Sequence, residues 1–324
     1  MEKRVLVVGG AGYIGGCVTD ALLAKRIPFT VYDNLTYENH YLKPVNFIYG
    51  DIRDHAKLKK ILPRYSHVVW LAALVGDGAC AIKPELTKEI NQDLVAWLSK
   101  NYNGRIIFTS TCSVYGANDE PVNENSPTAP LSIYAQTKLG AEKYLYNKNA
   151  LILRLGTAFG ISDTYARIRM DLAINYMTMN AVVKKQLTVF GGNQWRPFCH
   201  VRDIGQTIVN NLFKKHAGVY NLATENSTII KIGKMIAQET GCKINITDQK
   251  FQDNRNYNAD VSKGLKDGLF LTKTKYTLRY GAKEVKELIL SRRINDLDHE
   301  LYSNQKYLLQ AIEKYENGKQ TYEL

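Results

Sequence analysis

The sequence predicts an α/β protein: a doubly wound parallel sheet followed by a smaller mixed α/β lobe. Three observations predict it. Six short runs rich in Val, Ile and Leu alternate with amphipathic stretches through the first half of the 324 residues. A glycine-rich turn joins the first run to the first stretch. The alternation then loosens after about residue 160.

Residues 4–8, 29–33, 46–49, 67–71, 105–110 and 151–155 read as strands, because they are short, largely apolar and rich in Val, Ile and Leu, as strands buried on both faces are. Helical candidates lie between them at 13–25, 54–62, 85–100 and 132–148. Repeated strand–helix alternation makes a parallel sheet with ligands at the carboxyl ends of the strands. Residues 1–160 are therefore expected to form the first domain. Farther on, helical stretches near 164–181, 203–214 and 230–240 alternate with runs at 187–190 and 219–221. These define a second lobe, 161–290, of which 198–212 can pack back on the sheet. Residues 291–324 read as a helical extension, with a helix at 301–315 and a polar tail.

With 45% hydrophobic and 23% charged residues, the chain can build a full core and has no low-complexity block. Met1-Glu2-Lys3-Arg4 meets only four apolar residues before glycines interrupt, which argues against export. No apolar run approaches the roughly 20 residues of a membrane helix. Five cysteines, irregularly spaced and without a CxxC pair, predict a reduced cytoplasmic protein with no metal site. The net charge of +12 suits either a polyanion or small phosphates. The lysines are dispersed, with no run of five basic residues, so nucleic acid is disfavoured as a partner.

Val5–Val8 enters Gly9-Gly10-Ala11-Gly12-Tyr13-Ile14-Gly15. Gly10, Gly12 and Gly15 satisfy G-x-G-x-x-G, and Gly9, Gly12 and Gly15 satisfy G-x-x-G-x-x-G. Such glycines bring backbone close to a pyrophosphate and seat it on a helix N-terminus, the Rossmann arrangement. Asp33 closes the next run, where a carboxylate accepts hydrogen bonds from ribose hydroxyls. No Arg or Lys stands at 34–37 to receive a 2′-phosphate, so NAD is favoured over NADP. Asp51, in Gly50-Asp51-Ile52, is placed either to accept an adenine amino proton, with Ile52 against the ring, or to cap a helix.

Tyr134 and Lys138 form Y-x-x-x-K and share a helix face. An ammonium beside the phenol, with the positive charge of a nicotinamide nearby, is expected to lower its pKa from the usual ~10, so that a phenolate takes a hydroxyl proton while hydride leaves carbon. Thr111, at the end of run 105–110, either bonds the same substrate oxygen or satisfies local backbone.

Together these segments resemble the extended short-chain dehydrogenase/reductase family, in its NAD-dependent nucleotide-sugar epimerase/dehydratase branch. Supporting segments are Leu71-Ala72-Ala73, Ser110-Thr-x-x-Val-Tyr-Gly116, Tyr134-x-x-x-Lys138, Leu153-Arg154-Leu155-Gly156 and Arg196-Pro-Phe-Cys-His200-Val-Arg-Asp203. The resemblance implies catalysis by Thr111, Tyr134 and Lys138. It implies NAD held by Gly9, Gly12, Tyr13, Ile14, Gly15, Asp33, Asn34, Asp51, Ile52, Leu71, Ala72, Ala73, Tyr134 and Lys138. A nucleoside diphosphate sugar would meet Thr111, Cys112, Ser113, Asn175, Arg196 and Arg255, the arginines presenting paired donors to phosphate. His200 is expected to be structural. The family also implies a homodimer through segments 85–100 and 132–148.

Departures narrow the chemistry. The family's 4,6-dehydratases carry an acidic pair after the threonine, where Cys112 and Ser113 stand here. Its 3,5-epimerases carry cysteine at the position of Ser113. Oxidation at C4 remains, as a 4-dehydrogenase or a 4-epimerase. The loop Val75-Gly-Asp-Gly-Ala-Cys80 and the Ser-Thr-Cys-Ser run resemble members serving bacterial surface polysaccharides, including those acting on a GDP-heptose. The alternatives are an NAD(P)H-dependent reductase of a 4-keto nucleotide sugar, a less favoured 4,6-dehydratase and, last, a non-enzymatic NAD-sensing or RNA-binding module; the last would usually lack Tyr134 or Lys138.

Overall fold

Strands β1 (Val5–Val8), β2 (Phe29–Asp33), β3 (Asn46–Tyr49), β4 (His67–Trp70), β5 (Arg105–Thr111) and β6 (Ala150–Leu155) lie where apolar runs predict them. The computed structural model describes residues 3–37, 41–248, 255–270, 273–294 and 296–316, so the predicted polar tail beyond 316 lies outside the described residues.

These strands are parallel, and a seventh, β10 (Gly218–Leu222), completes the order β10-β6-β5-β4-β1-β2-β3. β10 corrects the expectation that 219–221 belongs to the second lobe. It pairs with β6 from Gly218↔Leu151 to Leu222↔Leu155. An edge strand is specified by its partner across the sheet, so its local sequence carries no sign of which sheet it joins.

Helices cover both faces. α1 (Tyr13–Ala24) and α8 (Val201–Asn211) lie on one, α2 (His55–Ile61), α5 (Leu94–Asn101) and α6 (Ile133–Leu145) on the other. Val7, Val31, Ile107, Leu153 and Ile208 are buried in the first core; Leu6, Val8, Val68, Trp70 and Phe108 are buried in the second. Alternate residues of β1 thus serve opposite cores, as the period of a strand requires. α8 approaches α1 closely at Gly205, where a Cβ would stand 2.7 Å from the Cys17 carbonyl carbon.

The predicted helix 85–100 is interrupted. α3 (Asp77–Ile82) and α4 (Pro84–Lys88) precede a π-turn at Glu89–Asp93, which leads into α5. Within that turn Asn91 is buried, accepting the Leu74 N–H (2.8 Å) and donating to the Leu74 carbonyl (2.9 Å). This bond pair accompanies the local widening.

The second lobe contains two small sheets, β11-β9-β7 and β12-β8. Their strands are β7 (Thr157–Phe159), β8 (Gln186–Phe190), β9 (Trp195–His200), β11 (Glu225–Thr228) and β12 (Lys243–Thr247). α7 (Ala173–Lys184), α9 (Ile229–Thr240) and α11 (Leu278–Leu290) pack with them around Phe159, Ile174, Phe198, Ile232 and Ala282. α10 (Ser262–Lys266) lies against β10. The predicted helix 164–181 starts only at Ala173. Before it, Met170 N–H bonds the Tyr302 carbonyl (2.9 Å) and Arg169 pairs with Asp171 (2.9 Å), so tertiary partners override helical propensity there. The final helix, α12 (Asn304–Glu316), packs against α3.

Candidate active site

A cavity of about 720 Å³ opens at the carboxyl ends of β1, β2, β4 and β5, with second-lobe residues on its far side. The glycine turn forms its floor. Gly9 turns at φ +81°, and a Cβ there would meet Ala72 N at 2.5 Å. A Cβ on Gly12 would meet only Gly9 O, at 3.5 Å. Gly12 is also the N-cap of α1, provides no side-chain cap, and is followed by no acidic residue in the first turn. The helix therefore starts with amides that no side chain caps, a setting suited to phosphate. Ile14 and Gly15 line the floor, and the Tyr13 phenol donates to the Gly160 carbonyl (2.8 Å).

Asp33 accepts the Ala11 N–H (3.0 Å) on one carboxylate oxygen and the Leu35 N–H (2.8 Å) on the other. Burial raises its pKa against the pull of these bonds. Each oxygen retains acceptor capacity for a ligand hydroxyl. Asp51 is more committed. It accepts from Asn34 Nδ2 (3.0 Å) and, bidentately, from Arg53 Nε (3.0 Å) and Nη2 (2.7 Å). Burial pushes its pKa up, but the Arg53 bonds win and hold it below the ordinary value. The cap of α2 is Asp54, which accepts the Lys57 N–H (2.9 Å), so Asp51 has no capping role. Ile52, Leu71, Ala72 and Ala73 complete this wall.

Thr111 ends β5 at the opposite part of the cavity. Its Oγ1 accepts the Ser113 N–H (3.1 Å), leaving its own proton available to donate. Ser113 Oγ lies 3.0 Å from the Tyr257 hydroxyl. Tyr134 enters from the first turn of α6, where Ser132 caps the helix by accepting the Ala135 N–H (3.3 Å). Thr111, Ser113, Tyr134 and Tyr257 all line the same space.

In the protein alone the phenol is pushed the other way. Burial raises the Tyr134 pKa, and Cys80 and Asp77 push in the same direction. Lys138 lies behind the wall rather than in it, only 3% exposed, with Nζ 4.4 Å from the Phe108 ring centre. Burial lowers its pKa to about 8. In the protein alone, desolvation outweighs the opposing pull of the Arg169 guanidinium on the phenol.

One turn farther along α6, Glu142 is fully buried and bonded by Arg154 Nη2 (2.7 Å), Arg154 Nε and the Ser110 hydroxyl. Arg154 also donates to the Tyr115 hydroxyl (2.9 Å), which donates to Asn221 Oδ1 (2.8 Å). This satisfied network ties α6 to β5, β6 and β10, and explains the arginine of the Leu153–Gly156 segment.

Arg196 and Arg255 reach the cavity from the second lobe. The Arg196 guanidinium lies 5.5 Å from the Tyr257 ring, and Arg255 pairs with Asp77 at 2.8 Å. Two predicted substrate residues do not reach the cavity. Asn175 is fully buried, accepting the Gly160 N–H (2.9 Å) and donating to the carbonyls of Gly160 (3.0 Å) and Arg169 (2.7 Å). Its amide is spent on backbone. Cys112 is also fully buried; its thiol donates to the Arg154 carbonyl (3.2 Å), and burial pushes its pKa up. His200 is structural: Nδ1 accepts the Arg202 N–H (3.2 Å) and Nε2 lies 2.7 Å from Glu284.

Sequence reasoning missed Tyr37, Asp77, Arg169, Tyr257, Ser303, Asn304, Gln305 and Leu308, all cavity-lining. The Tyr37 hydroxyl and Asp77 Oδ1 are buried without a hydrogen-bond partner in the protein. Orphaned polar atoms facing a cavity point to a polar ligand. With the bare amides and Asp33, they fit a dinucleotide. Among the described residues no cluster of three metal-ligating side chains occurs, and no helix is long and apolar enough to cross a membrane.

The family described as "NAD dependent epimerase/dehydratase family" matches residues 5–223. A Bacillus subtilis (strain 168) protein named "Uncharacterized UDP-glucose epimerase YtcB" is 28% identical over 311 residues, 82% of this chain and 95% of its own. The UDP-glucose 4-epimerase of Rhizobium meliloti (strain 1021) is 34% identical over 261 residues, 71% of this chain and 79% of its own. Among solved structures, the Thermus thermophilus UDP-glucose 4-epimerase complex with NAD superposes with a TM-score of 0.74 at 23% identity, covering 87% of this chain and 99% of that one.

Proposed function

The chain belongs to the NAD-dependent epimerase/dehydratase family, and from that premise we propose that it oxidises C4 of a nucleoside diphosphate sugar, acting as a 4-epimerase or a 4-dehydrogenase. The observation that carries this reading is the convergence of Thr111, Ser113 and Tyr134 in one cavity with the glycine turn and Asp33, opposite Arg196. The 4-epimerase names of its relatives favour the epimerase outcome.

The residues divide the work. The glycine turn and Asp33 hold NAD, and Arg196 and Arg255 take the sugar nucleotide's diphosphate. For Arg255 this means exchanging Asp77 for phosphate. Thr111 and Ser113 donate to sugar oxygens and orient the C4 hydroxyl. Tyr134 takes the C4 hydroxyl proton, a transfer worth about 10²–10⁴ in rate. NAD, when held there, would supply the hydride acceptor and a positive charge to set against the desolvation of Tyr134. Lys138 adds a second positive charge from behind.

Cys112 and Ser113 supply no acid–base pair for expelling a C6 hydroxyl, which supports C4 oxidation without dehydration. The exposed Leu131, Tyr144 and Tyr146, at and beside α6, support pairing with a second copy through this helix. In our reading the product enters a bacterial surface polysaccharide.

The test is incubation with UDP-glucose, UDP-N-acetylglucosamine and a GDP-heptose, following the C4 configuration by NMR and NADH by absorbance. A 4-epimer without net NADH marks the epimerase, and NADH matching product marks the dehydrogenase. Turnover only of 4-keto sugars with added NADH overturns the proposal in favour of a reductase.

A further inference from the structure

Asn304, the first residue of α12, is 3% exposed and ties together three segments distant in sequence. Its backbone N–H donates to Asp171 Oδ2 (2.8 Å) and its Nδ2 donates to the Val75 carbonyl (2.7 Å). Its Oδ1 accepts from Arg167 Nη2, and Arg167 Nη1 donates to the Leu301 carbonyl (2.7 Å). Four residues on, Leu308 is buried with Leu74, Ala79 and Cys80. The Tyr307 ring lies 5.5 Å from that of Tyr37.

Each attachment borders the dinucleotide floor. Tyr37 lies four residues beyond Asp33, and Val75 two beyond Ala73. Asp171 pairs with Arg169, whose guanidinium lies 5.8 Å from the ring of Tyr13 in the glycine turn. Ser303, Asn304, Gln305 and Leu308 line the same cavity. The segment therefore bridges the loop after β4 and the loop before α7, along one side of the cavity.

We propose that Ser303–Leu308 form the outer wall of the dinucleotide site, with Asn304 as the positioning residue that sets how long NAD stays bound. This rests on NAD occupying the cavity as read above. It deepens that reading, because an epimerase must return hydride from the same cofactor molecule, which a slowly released dinucleotide ensures.

The experiment measures NADH release by stopped-flow fluorescence, displacing bound NADH with excess NAD. Asn304→Ala is expected to speed release at least ~10-fold, since its side-chain bonds to two segments are lost at once. A second full-length variant, G78C/Q305C, works in the opposite direction, because Gln305 lies against Gly78. When the two cysteines are oxidised to a disulfide, release should slow at least ~10-fold, and reductant should restore it. Since reduced and oxidised states are compared in the same folded protein, misfolding of Asn304→Ala does not decide the matter. Release unchanged by the cross-link overturns the wall assignment. A wild-type protein that binds no NADH overturns the cofactor reading instead, so the two failures are distinguishable.

Discussion

Replacing Lys138 with methionine should make the cofactor-free protein more stable and the enzyme worse. Lys138 is buried with its ammonium over an aromatic ring, and Glu142, one turn away, is already engaged by Arg154 and Ser110. Desolvation lowers its pKa from 10.5 to about 8. At about 1.4 kcal/mol per tenfold change in proton affinity, the folded protein carries about 3 kcal/mol of burial penalty at pH 7. Methionine has similar length and no charge, so Lys138→Met should recover much of it, raising Tm by about 4 °C for a chain of this size. The sign with pH follows from linkage. Between about 8 and 10.5 the unfolded lysine holds its proton while the folded one has lost it, so wild-type stability from this group rises with pH across that window. The variant's advantage is therefore full below pH 8 and fades toward 10.5. Scanning calorimetry of both proteins at pH 7 and pH 10, with turnover measured in parallel, is the assay. A folded variant with equal or lower Tm at pH 7 would refute the reasoning. Turnover should fall at least ~100-fold.

Tyr134→Phe should keep NAD binding and lose at least ~100-fold in kcat; near-normal turnover removes the phenol from the chemistry. Asp33→Ala should weaken NAD at least ~10-fold by calorimetric titration, and unchanged affinity rejects the ribose assignment. Arg196→Ala should raise KM for the sugar nucleotide with little change in NAD affinity, whereas an effect on NAD alone contradicts its placement.

β1, β4, β5 and β6 were legible because central parallel strands read as mainly apolar runs, and the half-exposed edge strand β3 was legible from its aromatic and β-branched residues. The glycine turn, Asp33, Thr111 and Tyr134 were legible because each belongs to a short segment whose spacing alone carries the geometry. Tyr37, Asp77, Tyr257 and Asn304 were not: each enters the site through a tertiary approach, with no local pattern around it. Asn175 misled because its chain position puts it near the second lobe's entrance while its amide faces backbone. The perturbed titration of Tyr134 and Lys138 was invisible for a similar reason. Two residues spaced i, i+4 say that they are neighbours, not how deeply they are buried.

β10 carries a consequence for synthesis of the chain. Its partner β6 ends at Leu155, but β10 itself ends at Leu222. Until those later residues leave the ribosome, β6 stands as an open edge, the kind that recruits stray strands. At ordinary translation speeds the exposure lasts roughly 3–13 s per molecule. A fragment cut near residue 160 would hold that edge open permanently and should aggregate, whereas one reaching past Leu222 carries the strand that shields it.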